Sequence, residues 1–462
     1  MTLDKAQQKI VDCTDSRICV IAGAGSGKTR CLTERVKRLL NSGVNPRDIV
    51  CITLTNMAAS EMKERLADIP QSANMFIGTI HSYAYGLYVK HFHSRPKILT
   101  GNHERELGLE IIRTKAKHLT VEAYENWCKL SNMRENGHAL KSEVKESLSD
   151  EQQDEVEAIF YRDNPAQQSL KLPIEERIEF IRKYEKEHQS KKRNPLSLQA
   201  LAESRGFISF NSLLNTVADL DKSTRIQHML VDEFQDIGIY EYAFIQKLNP
   251  ANIFVVGDDY QSIYEFKGSD FAYFKSLINN PKFKVFKLTN NYRSCNKIVS
   301  FSNKIISQID DVIPKRCVSK ATYYNTSVSH KAGCMNDVFE FIKSIDKRDL
   351  GKWFVLARNN DETVRISRMC YACKIPAVTF KQSNMTPAEL RELLDGNQLK
   401  ILTIHTAKGL ESDNVVLYGS FPKDADCNYW ENARGGTEAC RIYYVGATRA
   451  RKRLVVINDS AN

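Results

Sequence analysis

The sequence contains no run of about 18 apolar residues, so no transmembrane helix is expected. Its opening stretch, MTLDKAQQKIVDC, lacks the apolar core of a signal peptide. Internal repeats and low-complexity tracts are missing too, so nothing points to a repeat array. The 12 cysteines are scattered and lack metal-ligand spacing. Cys370 and Cys373 form a lone CxxC with no further ligands spaced for zinc or an iron–sulfur cluster. They read as two helix cysteines. These absences together predict a cytoplasmic chain with free thiols and no membrane contact. A strong charge excess is also missing. Lys and Arg exceed Asp and Glu by 66 − 56 = 10, which permits a polyanionic partner without requiring one.

What is present is length and an apolar share sufficient for several cores. The 462 residues, 42% of them hydrophobic, allow roughly two to four domains. Short β-branched runs recur at Cys19–Ala22, Ile49–Leu54, Met229–Val231, Ile253–Val256, Lys284–Leu288, Phe354–Leu356, Ile401–Ile404, Val415–Tyr418 and Leu454–Ile457. Helical patterns separate them, which predicts α/β architecture with parallel sheets. The spacing favours two such domains over one. From about 86 to 205 the texture turns polar, charged and helix-prone, as in IEERIEFIRKYEKEHQSKK. Strand signals resume afterwards, so this stretch reads as a helical insertion in the first domain. The basic cluster SKKR at 190–193 reads as a solvated loop, with duplex contact as the sharper alternative.

The densest chemistry lies at 20–30, VIAGAGSGKTR. A hydrophobic strand runs into a glycine-rich loop and then a helix, the context a phosphate-binding loop requires. Ala22, Gly23, Ala24, Gly25, Ser26 and Gly27 would wrap phosphate oxygens with backbone N–H groups at a helix N-terminus. Lys28 would reach the β- and γ-phosphates of ATP, and the Thr29 hydroxyl would ligate Mg2+. Ala22 stands where the general pattern has its first glycine. A second element lies at 230–236, LVDEFQD. Asp232 would hold the metal, and Glu233 would polarise the attacking water. Two acids at one strand end are common, but their pairing with Lys28 and Thr29 points to an NTPase.

A third element, VVGDDYQSIYEFKGSD at 255–270, follows another strand. Gln261 is a candidate γ-phosphate sensor. Tyr264, Phe266 and Lys267 follow it, and rings beside a cation suit stacked single-stranded bases. Either ring alone would read as core.

These elements, in order, resemble the UvrD/Rep/PcrA group of superfamily 1A DNA helicases. LDKAQQKIV at 3–11 is similar to that family's Q motif, and ITLTNMAASEMKERL at 52–66 to motif Ia. GTIHSYAYG at 78–86 resembles motif Ib, LVDEFQD motif II, VGDDYQSIYEFKG motif III and LTNNYRS motif IV. FVLARNN at 354–360 resembles the motif after that. LTIHTAKGLESDNVV at 402–416 and EACRIYYVGATRARKRL at 438–454 are similar to motifs V and VI. Ala22 in the P-loop is normal for the family.

The resemblance implies two RecA-like domains with ATP between them. It implies that Gln7 and Tyr292 hold adenine, that Arg30 lies close to the nucleotide and that Glu411 meets the ribose side. Arg293 and Arg449 would point from the second domain at the γ-phosphate, where planar guanidinium groups stabilise phosphoryl charge. Asn56, His81, Tyr264, Phe266, Arg358, Asn359 and His405 would line a DNA track. Leu54 stands where motif Ia carries an aromatic, and Lys267 where motif III carries an arginine. The implied partner is single-stranded DNA or a tailed duplex.

The resemblance also exposes a gap. The family inserts a large domain, 2B, just before motif V, and here only the 19 residues 381–399 occupy that place. The expected organisation is 1–85 and 206–280 for domain 1A, 86–205 for a 1B-like insertion, and 281–462 for domain 2A without 2B. Two functions follow. The first is a 3′→5′ DNA translocase or helicase driven by Mg-ATP hydrolysis. The second is a nucleic-acid-sensing regulatory ATPase that works with a nuclease partner and unwinds little. Compact UvrD-like subunits of phage-defence complexes, such as the Gabija helicase subunit, are similarly pared down. A small-molecule kinase would leave motifs III to VI unexplained.

Overall fold

The run RICVIA at Arg17–Ala22 is apolar after its first residue and buried from Ile18 onward. A strand covered on both faces of a parallel sheet needs that composition. In the computed structural model this strand lies inside a six-stranded sheet ordered Phe76–Thr79, Ile49–Thr53, His228–Val231, Asn252–Gly257, Arg17–Ala22, Lys284–Leu288. A second six-stranded sheet is ordered Ser327–Ala332, Ala450–Asn458, Ser412–Gly419, Trp353–Ala357, Leu399–Thr403, Ala377–Val378. Neighbours pair in parallel throughout both sheets. The structure describes residues 2–100, 198–220, 226–264, 269–310, 312–381, 385–421 and 436–459, with scattered positions between 103 and 110 and between 172 and 183. No helix among the described residues is long and apolar enough to cross a membrane.

The nine strand-like runs of the sequence all fall in these sheets. Three sheet strands carry no comparable signal. Ser327–Ala332 is polar and largely exposed because it is an edge strand, and Ala377–Val378 is the short opposite edge. Phe76–Thr79 closes the first sheet with only four residues.

Lys284–Leu288 pairs with Arg17–Ala22, so the first sheet extends past 280 to Leu288. The helix Ile80–Phe92 runs through the expected start of the insertion at 86. Beyond it, Lys97–Ile98 pairs with Phe207–Ile208 and ties the two ends of the insertion together. Most of the insertion, including residues 111–171 and the cluster at 190–193, lies outside the described residues.

The first helix, Lys5–Asp12, starts with a reciprocal cap in which Asp4 accepts from the Gln7 backbone and Gln7 accepts from the Asp4 backbone. Its last carbonyls accept from Arg35, which donates to Ile10, Val11 and Cys13. This helix is thereby fastened to Lys28–Asn41, the helix that follows the P-loop.

The two halves of the chain share a core. Ala24, Tyr260 and Ile263 from the first pack with Ile298, Ile305, Phe354, Leu356 and Leu417 from the second. Residues Pro387–Asp395, where the 2B domain would branch, form a single helix capped by Thr386 and Glu389. Arg391 on this helix meets both oxygens of Glu64 in the first half, at 2.9 and 2.7 Å. Nine described cysteines are free, but Cys440 is disulfide-bonded, which departs from the expectation of free thiols throughout.

Candidate nucleotide and nucleic-acid sites

The functional side chains of the first sheet sit beyond the C-terminal ends of its strands, where open parallel sheets place their ligands. Residues 23–29 follow Arg17–Ala22, Asp232 and Glu233 follow His228–Val231, and Asp258–Gln261 follow Asn252–Gly257. These three strands are adjacent, in the order 228–231, 252–257, 17–22. The sheet order therefore gathers three distant sequence segments into one side-chain cluster.

The P-loop geometry explains which positions need glycine. Ala22 is the last strand residue, fully buried and paired with Leu288, so it needs no special backbone angle. Gly27 has φ +81°, and a Cβ there would lie 2.7 Å from Gln7 Nε2. Gly27→Ala is therefore expected to lose roughly 1–2 kcal/mol to left-handed strain. It should also displace Gln7 Nε2 from the Ser26 carbonyl, to which it donates at 3.0 Å. A melting temperature lower by a few degrees together with weaker ATP binding is the expected result; a melt and affinity both unchanged would refute it.

Lys28 Nζ lies 2.9 Å from Glu233 Oε2, and Thr29 Oγ1 donates to Asp232 Oδ2 at 3.0 Å. Glu233 adopts φ +52°, a strained angle for a non-glycine residue, which fits a functional strand end. Burial works to raise the Glu233 pKa, but the charges of Lys28 and Lys408 outweigh it and hold the carboxylate low. Burial and the neighbouring Glu233 charge push Asp232 upward. The hydroxyl of Thr29 and the carboxylate of Asp232 are hard oxygen donors in contact, a pair that fits Mg2+.

Gln235 joins this corner to the next. Fully buried, it donates to Glu233 Oε2 at 2.7 Å and accepts from the Asp258 backbone at 2.8 Å. Asp258 Oδ2 accepts from Gln261 Nε2, and Gln261 Oε1 accepts from Arg449 Nη2 at 3.0 Å. An unbroken chain of contacts thus runs from Lys28 to Arg449. Arg449 is 1% exposed, and its other nitrogens donate to the Val445 and Leu410 carbonyls. Burial and the nearby Arg293 lower its pKa to about 9, so it stays charged at neutral pH.

Arg293 is turned toward Glu411, and Arg451 holds the other oxygen of the same carboxylate. Against burial, these two arginines bring the Glu411 pKa down to about 2. Tyr292 donates its hydroxyl to Asp4, which also accepts from Asn290 Nδ2 at 2.9 Å. Asn291 braces the P-loop from outside, donating to the Ala24 carbonyl at 2.7 Å. Arg30 sits partly buried in the first turn of helix Lys28–Asn41. Sequence reasoning missed Asp4, Gln235, Asn291, Lys408 and Arg451. Each lies inside a recognised motif, so its position was visible but its partner was not.

The family models decide the affiliation. The UvrD/REP helicase N-terminal domain matches residues 3–282, and the UvrD-like helicase C-terminal domain matches 286–385 and 380–461. The chain belongs to the UvrD-like superfamily 1A helicases. Its two parallel sheets are accordingly the two RecA-like domains of that family. A Mycoplasma pneumoniae protein named "Probable DNA helicase" is 27% identical, covering 99% of this chain and 83% of that protein. The "ATP-dependent DNA helicase Rep" of Escherichia coli is 26% identical over 87% of this chain and 58% of its own length. "DNA helicase II" of Escherichia coli is 27% identical over 68% of this chain and 42% of its own length. The chain thus spans only about half the length of the last two.

The candidate DNA residues likewise follow the C-terminal ends of sheet strands. Asn56 opens helix Asn56–Arg65, exposed, after the strand Ile49–Thr53. His81 follows Phe76–Thr79 and packs edge-on against the exposed ring of Phe210, 4.8 Å between centroids. Its pKa is lowered by burial, with Glu241 opposing. Tyr264 lies 6.1 Å from the His405 ring, and Lys408 Nζ sits 4.6 Å over its face. Lys408 also pairs with Asp236, so this cluster joins the two domains. Arg358 and Asn359 follow the strand Trp353–Ala357, and Asn359 caps the next helix reciprocally with Glu362. Phe266 and Lys267 lie outside the described residues.

Proposed function

We propose that this chain is an ATP-driven motor that moves 3′→5′ along single-stranded DNA. The observation that carries the reading is the contact chain from Lys28 through Glu233, Gln235, Asp258 and Gln261 to Arg449. It links the phosphate-binding loop of one RecA-like domain to an arginine of the other. Lys28 would hold the β- and γ-phosphates, and Glu233 would orient and polarise the attacking water. Arg449, joined by Arg293, supplies positive charge where the phosphoryl oxygens gain negative charge. Mg2+ held by Thr29 and Asp232 would neutralise phosphate charge. Gln7, Tyr292 and Arg30 would hold the nucleotide, with Glu411 at the ribose.

Coupling to DNA follows from the Lys408 cluster. Lys408 touches Asp236 and the Gln261 carbonyl on one side and the Tyr264 ring on the other. A change at the γ-phosphate sensor therefore reaches an aromatic that can stack a base. Asn56, His81, Phe266, Lys267, Arg358, Asn359 and His405 would extend that track. The exposed ring of Phe210, against His81, is a further stacking surface.

The test combines hydrolysis with strand separation. The purified chain should hydrolyse ATP faster with single-stranded DNA and should separate 3′-tailed but not 5′-tailed duplexes. Opposite polarity would overturn the direction. DNA-stimulated hydrolysis with no separation of either duplex would favour the sensing ATPase gated by a nuclease partner. The short span 381–399, where the family inserts 2B, supports that second reading.

A further inference from the structure

Beneath Gln261 lies a buried cluster of charges. Asp258 and Asp259 follow the strand Asn252–Gly257 and are inaccessible to solvent. Lys315 reaches them from the second half of the chain, beyond the helix Asn296–Ile306. Its Nζ is 3.0 Å from Asp258 Oδ1 and bonds Asp259 Oδ1, and all three side chains are 0% exposed. The same Nζ sits 3.4 Å over the ring of Tyr260. The backbone is locked as well. Tyr260 donates its hydroxyl to the Lys315 carbonyl at 2.7 Å, and the Ile313 N–H donates to Asp259 Oδ2 at 2.7 Å.

Three buried charges are a poor way to fill a core, since apolar side chains of similar volume serve as well or better. The cluster has a distinct consequence for the amide above it. An ionised carboxylate accepts hydrogen bonds and cannot donate them. Lys315 Nζ sits on Asp258 Oδ1 and so fixes the carboxylate, whose Oδ2 accepts from Gln261 Nε2; the amide thereby turns its nitrogen downward. Its oxygen then faces Arg449 Nη2. A displaced Asp258 would allow the amide to flip and present N–H groups to a guanidinium. The segment carrying Lys315 is itself tied to the nucleotide pocket. Val318–Ser319 pairs with Asn290–Asn291, and Cys317 Sγ packs against Gly23 so closely that a Cβ there would collide with it.

We propose that Lys315 is a positioning residue that, through Asp258, sets the orientation of the Gln261 amide and so makes the γ-phosphate sensor depend on where the second domain sits. This rests on the reading of Gln261 and Arg449 as parts of an ATP-hydrolysing site.

The test is a double-mutant cycle of Lys315→Met and Gln261→Ala, read by DNA-stimulated turnover and by ADP affinity. Lys315→Met should lower kcat by roughly tenfold or more, with KM and ADP affinity within about threefold of the original. In the Gln261→Ala background, Lys315→Met should cost little further. Fully additive losses, an unchanged kcat, or a loss of ADP affinity matching the loss of kcat would overturn the proposal. If Lys315→Met does not fold, Asp259→Asn keeps the shape of the cluster and should show the same split with a smaller drop. Hydrogen exchange gives a readout independent of turnover. The N–H groups of Gln261 and Ser262, bonded to the Asp258 and Asp259 carbonyls, should exchange faster in either variant. Unchanged protection there would overturn the positioning role even if the chain proved not to hydrolyse ATP. Faster exchange in a chain without hydrolysis would instead locate the failure in the functional reading.

Discussion

Lys28→Ala is expected to lower ATP turnover by roughly 10²–10³-fold while the protein stays folded. Alanine is the best helix former, so the start of helix Lys28–Asn41 should survive the change. What disappears is the cation that now sits 2.9 Å from Glu233. Two consequences add up. The γ-phosphate loses a charge placed to stabilise its transfer, and Glu233 loses the partner that holds its carboxylate low against burial. Without that contact the Glu233 carboxylate is no longer fixed in position to orient water. Steady-state kinetics with circular dichroism as a control will check this, and normal turnover by a folded variant would remove the P-loop assignment.

Arg449→Ala should cost more in kcat, about 10³-fold, with KM changed little. Arg449→Lys should not restore the rate. The guanidinium uses Nε on Val445, Nη1 on Leu410 and Nη2 on Gln261, three directions that one ammonium on a flexible stem cannot serve together. Melting of both variants should be measured alongside, because the side chain is 1% exposed and its removal leaves a void. A raised KM with kcat intact would mean that Arg449 binds nucleotide without acting in transfer.

Much of this site is legible in the linear chain because its chemistry is local. A P-loop places its glycines, lysine and threonine within one turn between strand and helix, so Lys28 and Thr29 can be read without a fold. Asp232 and Glu233 are likewise two adjacent residues at the end of an apolar run. The strands are legible where both faces are buried, as at Cys19–Ala22 and Val415–Tyr418, because continuous apolar runs leave few other readings. Ser327–Ala332 is not, since an edge strand can be polar and still pair.

Partnerships across the chain were not legible. Gln235, Lys408 and Arg451 stand in plain view inside motifs, yet nothing local says that Gln235 joins Glu233 to Asp258, or that Lys408 joins Asp236 to Tyr264. Lys315 stands outside every motif quoted for the resemblance. Its meaning depends entirely on being buried between two carboxylates 56 and 57 residues earlier, at positions 259 and 258.

By itself, then, the sequence determined the alternation of strands and helices, the two-domain α/β class and the phosphate-binding and acidic residues, because these depend on periodicity and short spacings. The tertiary structure decided which residues meet between the domains, that the first sheet continues to Leu288, and that the helix Pro387–Asp395 reaches across to Glu64. The reason is physical. Hydrogen bonds and ion pairs between distant segments are set by strand order and by burial, and neither is written in any local stretch of the chain.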